Sequence, residues 1–362
     1  MNDVDQLLND SAVRFFTDLC TRSVFERVEH GDWLPDAWAD LQAMGLTSAA
    51  VTEFEPGQVG LALPSLALLV RQAGRFNVPL PLVETYLAQR ALSAAGVPCD
   101  PDSPLSLSTY SESVPLQAQA TPDGYVVSGM VRRVPWGRHV AGVVAPVQCD
   151  GRTGLALLPP GQRAEWGTNL AGEPRDALRY ERTPVAAAHV ALHDVERIVQ
   201  ALPIEGALLR SVQMTGAAQQ VLEMTVQYAT ERVQFGRPIA KFQAIQHQIA
   251  ELAAQVASAT AAADAGIHLY AASGVSIVAA FAKIRASEAA TQVCAIAHQV
   301  HGAMGFTHEH PLHLSTRRLM SWRDEFGSDT HWAAWAGERL EQIDERALWA
   351  FITAPSDIDL EA

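Results

Sequence analysis

Residues 231–252 read ERVQFGRPIAKFQAIQHQIAEL. A helix is expected to close near Arg232, Phe235-Gly236 turns the chain, and Gln243 opens the next helix after Pro238. Beyond that opening, Ile245, Ile249, Leu252 and Val256 fall at spacings of 4, 3 and 4, which is one face of an amphipathic helix. The same period returns at Ile277, Phe281 and Ile284 once Gly274 has separated the two helices. A guanidinium at Arg232 can hold a phosphate through two parallel hydrogen bonds, and a nearby amide at Gln243 can take ribose or ring groups. The plainer reading is an ordinary helical hairpin with a solvated arginine.

The texture upstream is different. Between about Pro101 and Pro203, turn signals at Thr121-Pro122-Asp123-Gly124 and Asp150-Gly151 separate strand-like runs such as YVVSGMV, HVAGVVAPV and TGLALLP. Earlier still, PDAWADLQAMGL and SLALLVRQAGRFNVPLPLVETYLAQRALSAAG read as helices, broken at Asn77-Val78-Pro79 and ended near Gly96. The expected organisation is a helical domain over 1–103, a small β domain over 104–200 and a helical bundle over 201–362. In this reading the bundle's first helix opens beside a turn at Pro203.

Composition narrows the function classes. The 362 residues are 48% hydrophobic and 18% charged, with a formal net charge of −14. That balance is globular and argues against a nucleic-acid binder, which presents a basic face. The opening MNDVDQLLND lacks the basic and apolar regions of a secretory signal, and no apolar run approaches the ~18 residues of a membrane span. Cys20, Cys99, Cys149 and Cys294 are far apart with no CxxC pair. The expectation is a cytoplasmic protein with reduced thiols, away from membranes.

A second segment, HQVHGAMGFTHEHPLHL (298–314), carries Gly302 and Gly305, where main-chain N–H groups can approach a ligand's phosphates. It is neither GxGxxG after a strand nor a P-loop. His298, His301, His308, His310 and His313 invite a zinc reading, but without HExxH, CxxC or a carboxylate at helical spacing the expectation is no metal. No GxSxG elbow occurs, and Cys294 in QVCAIA reads as a buried thiol. Trp322 and Trp332 read as core, Arg317 and Arg318 as solvated or paired, and the acidic tail SDIDLEA as frayed.

Taken together, in this order and separation, the two segments resemble the acyl-CoA dehydrogenase family, and the similarity extends over essentially the whole chain through GRFNVPLPLVETYLAQRAL and DGYVVSGMVRRVPWG. The resemblance implies an α+β, mainly α fold: an N-terminal helical domain, a middle β domain and a C-terminal four-helix bundle carrying the FAD and oligomer interface. It implies FAD as cofactor, with Arg232, Phe235, Gln243, Gln299, Gly302 and Ala303 gripping the ADP half across a subunit interface; Ala303 stands where the family has a second glycine. It further implies α,β-dehydrogenation of an acyl-CoA thioester, in which a glutamate removes the α proton while a hydride passes to the flavin, and an electron-transfer flavoprotein as acceptor.

The sequence departs from that pattern at the base. The usual position falls on Phe326, before Gly327-Ser328, with Glu325 as neighbour; the minority position falls on Gly206, with Glu205 adjacent. Both glutamates are therefore the candidate bases of this chain, Glu205 favoured because it is expected at a helix opening. The segments that cover the flavin ring in the family read here SLSTYSES and RRVPWG, with Pro135 replacing a hydroxyl. Contacts to the ring are eroded while those reaching to a partner's FAD are kept. This combination resembles the short paired subunits of bacterial steroid side-chain degradation, which implies an α2β2 heterotetramer with a sister subunit and a steroid side-chain CoA ester as substrate. The alternatives are a non-catalytic FAD-clamping subunit whose partner holds the base, and an oxygen-using acyl-CoA oxidase or flavin monooxygenase relative.

Overall fold

The computed structural model describes residues 3–51, 60–108, 115–344 and 346–353. The helices are α1 (Asp3–Leu19), α2 (Arg22–Glu29), α3 (Pro35–Ala43), α4 (Leu63–Arg75), α5 (Leu82–Ala94), α6 (Glu196–Glu231), α7 (Gln243–Ser273), α8 (Ile277–His301), α9 (Leu312–Trp322), α10 (Asp329–Leu340) and α11 (Leu348–Thr353). The strands are β1 (Leu105–Leu107), β2 (Leu116–Thr121), β3 (Gly124–Pro135), β4 (Gly142–Cys149), β5 (Arg152–Leu158), β6 (Gln162–Glu165), β7 (Arg175–Ala186), β8 (Val190–Ala191), β9 (Val233–Gln234) and β10 (Arg237–Pro238). The chain divides into two compact units, Thr17–Leu66 with Pro79–Gly206, and Met1–Phe16 with Ala67–Val78 and Ala207–Ala362.

The first unit is built on a sheet of order β6-β7-β3-β2-β4-β5-β8, with β1 also beside β4. Most pairings are antiparallel, while β1 and β2 run parallel to β4. Strand β4 is buried on both faces, which is why GVVAPV reads as a continuous apolar run instead of an alternation. Its hairpin to β5 turns through Asp150 and Gly151 at φ 48° and 77°, the left-handed pair that a two-residue turn requires. Packed beside the sheet's β1, α5 is buried along most of its length, and Thr85 on it donates to the Leu105 carbonyl at 3.1 Å. Helix α3 starts on Pro35, its missing N–H costing nothing in the first turn, and buries Trp38, whose indole donates to the Asp102 carbonyl at 2.8 Å.

The second unit is a helical bundle. Met214, Ala217 and Val221 of α6 meet Leu252 and Val256 of α7, Ala290, Val293 and Ala297 of α8, and Leu319 and Trp322 of α9 in one core. Gly274, left-handed at φ 73°, ends α7 as the sequence predicts. Main chains touch where α4 crosses α6: a Cβ on Gly216 would stand 2.0 Å from the Arg71 carbonyl oxygen, and one on Gly74 1.9 Å from that of Gln213. Arg71 pairs with Asp264 and Arg75 with Glu223 around that crossing.

The helix expected to open at Pro203 opens instead at Glu196, and Pro203 lies inside it. A proline there removes one backbone hydrogen bond. Apolar burial on both sides, at Val199 and Leu202 before it and at Leu208, Leu209 and Val212 after it, carries the helix through.

Candidate functional site

The hairpin of the opening motif is built as its sequence suggests. Helix α6 ends at Glu231, β9 and β10 pair through Val233–Pro238 and Gln234–Arg237, and Phe235 and Gly236 turn the chain at φ 53° and 78°. Phe235 sits on the tip at 91% exposure, its ring edge-on to Phe242 at 6.1 Å. Arg237 lies over Phe242, 4.2 Å from its centroid. Gln243 is the first residue of α7 and is exposed. Between residues 232 and 246, Arg232, Arg237 and Lys241 stand with no acidic residue, in a chain whose net charge is −14.

Gln299, Gly302 and Ala303 are exposed at the C-terminal end of α8. Gly302 takes φ 57°, and no atom lies within 4 Å of where its Cβ would stand. Its N–H, however, is spent on the His298 carbonyl, and a helix C-terminus carries partial negative charge. Of the two glycines, Gly302 thus has no N–H left for a phosphate, and the segment presents the Gln299 amide and open backbone at the surface. All the residues assigned to the ADP half are exposed, so they fit a nucleotide brought to the surface. The apolar stripe of α7 behaves likewise, since Ile245 and Ile249 are only half-buried while Leu252 and Val256 join the core.

The two carboxylates are both engaged. Glu205 lies within α6, not at its opening, and its two oxygens accept from Arg90 Nε and Nη2 at 3.0 and 3.2 Å, in the sheet unit. Glu325 is buried in the bundle, 3.1 Å from the Arg210 guanidinium, which is itself 1% exposed. Arg210 also donates to Gln213 and lies over the Trp322 and Phe326 rings at 5.4 and 5.5 Å. Phe326, at the usual base position, is buried at φ 55°.

Sequence reading did not single out Arg210 or Lys283. Lys283 is fully buried on α8 and donates to the carbonyls of Trp322 at 3.2 Å, Arg323 at 2.5 Å and Gly327 at 2.9 Å. Burial first, then the Arg210 charge, pull its ammonium down to about 7. The available signal was a lone cation inside the apolar run IVAAFAKI.

The histidines form a packed group. The His301 ring stacks on Tyr228 at 4.5 Å and meets His310 edge-on at 4.6 Å, while His298 stacks on Phe306 at 4.4 Å. Burial holds His298, His301 and His310 below the ordinary histidine value. Among the described residues no group of three His, Cys, Asp or Glu side chains is placed to hold a metal. Burial pushes the Cys294 thiol up to about 12. Trp322 and Trp332 are core, each 1% exposed. Arg318, expected in solvent or paired, is buried and donates to the Leu314 carbonyl at 3.0 Å, because one stripe of α9 faces the bundle. In the sheet unit, Ser106 donates to the Pro135 carbonyl at 2.6 Å. The rest of SLSTYSES beyond Ser108, and the tail SDIDLEA, lie outside the described residues.

The family model for the acyl-CoA dehydrogenase C-terminal domain matches residues 197–330. Acyl-CoA dehydrogenase IpdE2 of Mycobacterium tuberculosis is 31% identical over 273 residues, covering 75% of this chain and 76% of that protein. The chain belongs to the acyl-CoA dehydrogenase family. The fold agrees: the ChsE4-ChsE5 complex from Mycobacterium tuberculosis matches at a TM-score of 0.84 and 21% identity, covering 95% of this chain and 99% of that one. The steroid acyl-CoA dehydrogenase Tcur3481-Tcur3483 matches at 0.81 and 22%, covering 97% and 99%. As a member of the acyl-CoA dehydrogenases the chain is an oxidoreductase, and the family's dehydrogenation of acyl-CoA is flavin-dependent. Among its described residues no helix is long and apolar enough to cross a membrane.

Proposed function

We propose that this chain is one subunit of a heteromeric, FAD-dependent acyl-CoA dehydrogenase acting on a steroid side-chain CoA ester, with the base on its sister subunit. The carrying observation is the exposed hairpin: a phenylalanine at 91% exposure, on a left-handed turn in a stretch that holds three cations and no acidic residue, presents apolar surface and positive charge to something outside the chain. Arg232 takes the pyrophosphate. Phe235 packs on the nucleotide, and Gln243, Gln299, Gly302 and Ala303 take the hydroxyl and ring edges of the ADP half. When bound, the flavin supplies the redox chemistry by accepting the hydride; this chain's part is to bind and orient it. The similarity to ChsE4-ChsE5 and to a steroid acyl-CoA dehydrogenase supports both the paired assembly and the substrate class. An α2β2 arrangement, electron transfer to an electron-transfer flavoprotein and the three-part domain division at 103 and 200 belong to the same reading.

The carboxylates support placing the base elsewhere. To reach a substrate carbon, Glu205 must leave two charge-assisted hydrogen bonds to Arg90, and Glu325 must leave a buried guanidinium. Native mass spectrometry of the chain alone and co-expressed with the product of its neighbouring gene tests the reading. A yellow heterotetramer with half as many flavins as chains is expected. A homo-oligomer with one FAD per chain refutes it, and then Glu205, still a fifth exposed on its side chain, is the base to replace with Gln. Peroxide formed without an added acceptor would instead favour an oxidase.

A further inference from the structure

A connection of only a few residues joins α9 to α10, and three buried ionisable side chains from three different elements converge on it. Arg210 comes from α6, Lys283 from α8 and Glu325 from the connection itself, at 1%, 0% and 5% exposure. Lys283 stands at the C-terminal end of α9, where the last carbonyls lack helical partners, and donates to those of Trp322 and Arg323. Its third carbonyl, that of Gly327, lies past the two left-handed residues Phe326 and Gly327. One ammonium thus ties both ends of the corner. Gly327 leaves no room to relax, since a Cβ there would stand 2.7 Å from Trp332 Nε1. The Trp332 indole donates to the Phe326 carbonyl at 2.8 Å, which fixes the peptide between the two ties.

Burying an ion pair is a weak route to stability, because desolvation cancels most of the attraction, and well-packed apolar residues do as well or better. What a buried pair does supply is direction. Glu325 has its carboxylate on Arg210, Arg210 packs over Trp322 and Phe326, and Lys283 fixes the carbonyls around them. We infer that Arg210, Glu325 and Lys283 form a positioning lock on the α9–α10 corner, in which Glu325 is the counter-ion of Arg210 and takes no part in proton abstraction. This rests on the proposed function and extends it: the carboxylate nearest the family's base position is used to hold the corner.

The test uses the co-expressed, flavin-loaded complex and three variants of this chain: Glu325→Gln, the double replacement Arg210→Met with Glu325→Leu, and Lys283→Met. For a positioning lock, Glu325→Gln leaves the Arg210 charge unpaired in the core, so thermal midpoint and assembly yield fall. The double replacement removes both charges and restores them, and kcat for a steroid side-chain CoA ester then returns to within about tenfold of wild type. Lys283→Met lowers kcat without raising KM, because the corner loses its ties. A base role gives the opposite pattern, with the stable, yellow double variant still down 10²–10⁴-fold in kcat. That result overturns the inference, and so does a double variant no more stable than Glu325→Gln, since an unpaired Arg210 would then not explain the loss. Flavin-to-chain stoichiometry of the wild-type complex judges the paired-subunit reading separately, so the two failures are distinguishable.

Discussion

Replacing Phe235 with Gly separates what the hairpin tip does for the fold from what it does for binding. Phe235 is held at φ 53° and is 91% exposed, with Gly236 beside it at φ 78°. A non-glycine residue in the left-handed region costs roughly 1–2 kcal/mol, and glycine gives back about 0.5–1 kcal/mol through its freer unfolded chain. Almost no packing is lost, because the ring has little to pack against. The free chain should therefore be unchanged or stabilised by up to ~1.5 kcal/mol, a rise of a few degrees in midpoint. Binding moves the other way. If the ring is covered on assembly, its loss removes about 1.5–3 kcal/mol of burial, a roughly 10- to 150-fold weaker hold on flavin or partner. Differential scanning calorimetry of the chain, with flavin content of the co-purified complex by absorbance, reads both. A lowered midpoint together with full flavin content would refute the reasoning, since the ring would then serve the fold and not the interface.

Replacing Gly216 with Ala puts a methyl 2.0 Å from the Arg71 carbonyl oxygen, an overpacking cost of about 1–3 kcal/mol. Gly337→Ala on α10, which meets nothing within 4 Å, serves as the control and should stabilise by roughly 0.5–1 kcal/mol; equal midpoints for the two would contradict the close crossing. Folded Lys283 releases its proton near 7 and an unfolded lysine near 10.5, so between those values the unfolded chain binds the extra proton. Stability therefore rises as pH climbs from about 7 towards 10.5, and Lys283→Met should flatten that slope in urea titrations. Cys294 is buried with its thiol pushed up to about 12, and should resist an aromatic disulfide reagent at pH 8 until the chain is denatured.

The bundle was legible because its evidence is local. Spacings such as Ile245–Ile249–Leu252–Val256 report a helix face without knowledge of its neighbours, and the glycines of Phe235-Gly236 and Asp150-Gly151 mark turns by residue type alone. Pro203 signals a boundary by its local cost alone, while burial on both flanks, visible only in three dimensions, outweighs it. The fate of the carboxylates was likewise non-local. Glu205 and Glu325 read alike as glutamates beside a base position; what distinguishes them is Arg90, 115 residues away in sequence from one, and Arg210 on α6 beside the other. Arg318 reads from its charge as solvated or paired, and its place on the buried stripe of α9 shows only in three dimensions.

The burial of Lys283 has a practical corollary. The sequence contains two lysines, Lys241 and Lys283. With the second sealed in the bundle, amine-directed reagents such as succinimidyl esters or acyl donors find, apart from the terminal amine, one exposed target, and Lys241 sits just past the Phe235 hairpin. Mild acylation of the native chain thus labels one lysine side chain, beside the hairpin proposed to hold the nucleotide, and after digestion its protection on assembly can be read on the one peptide that carries Lys241.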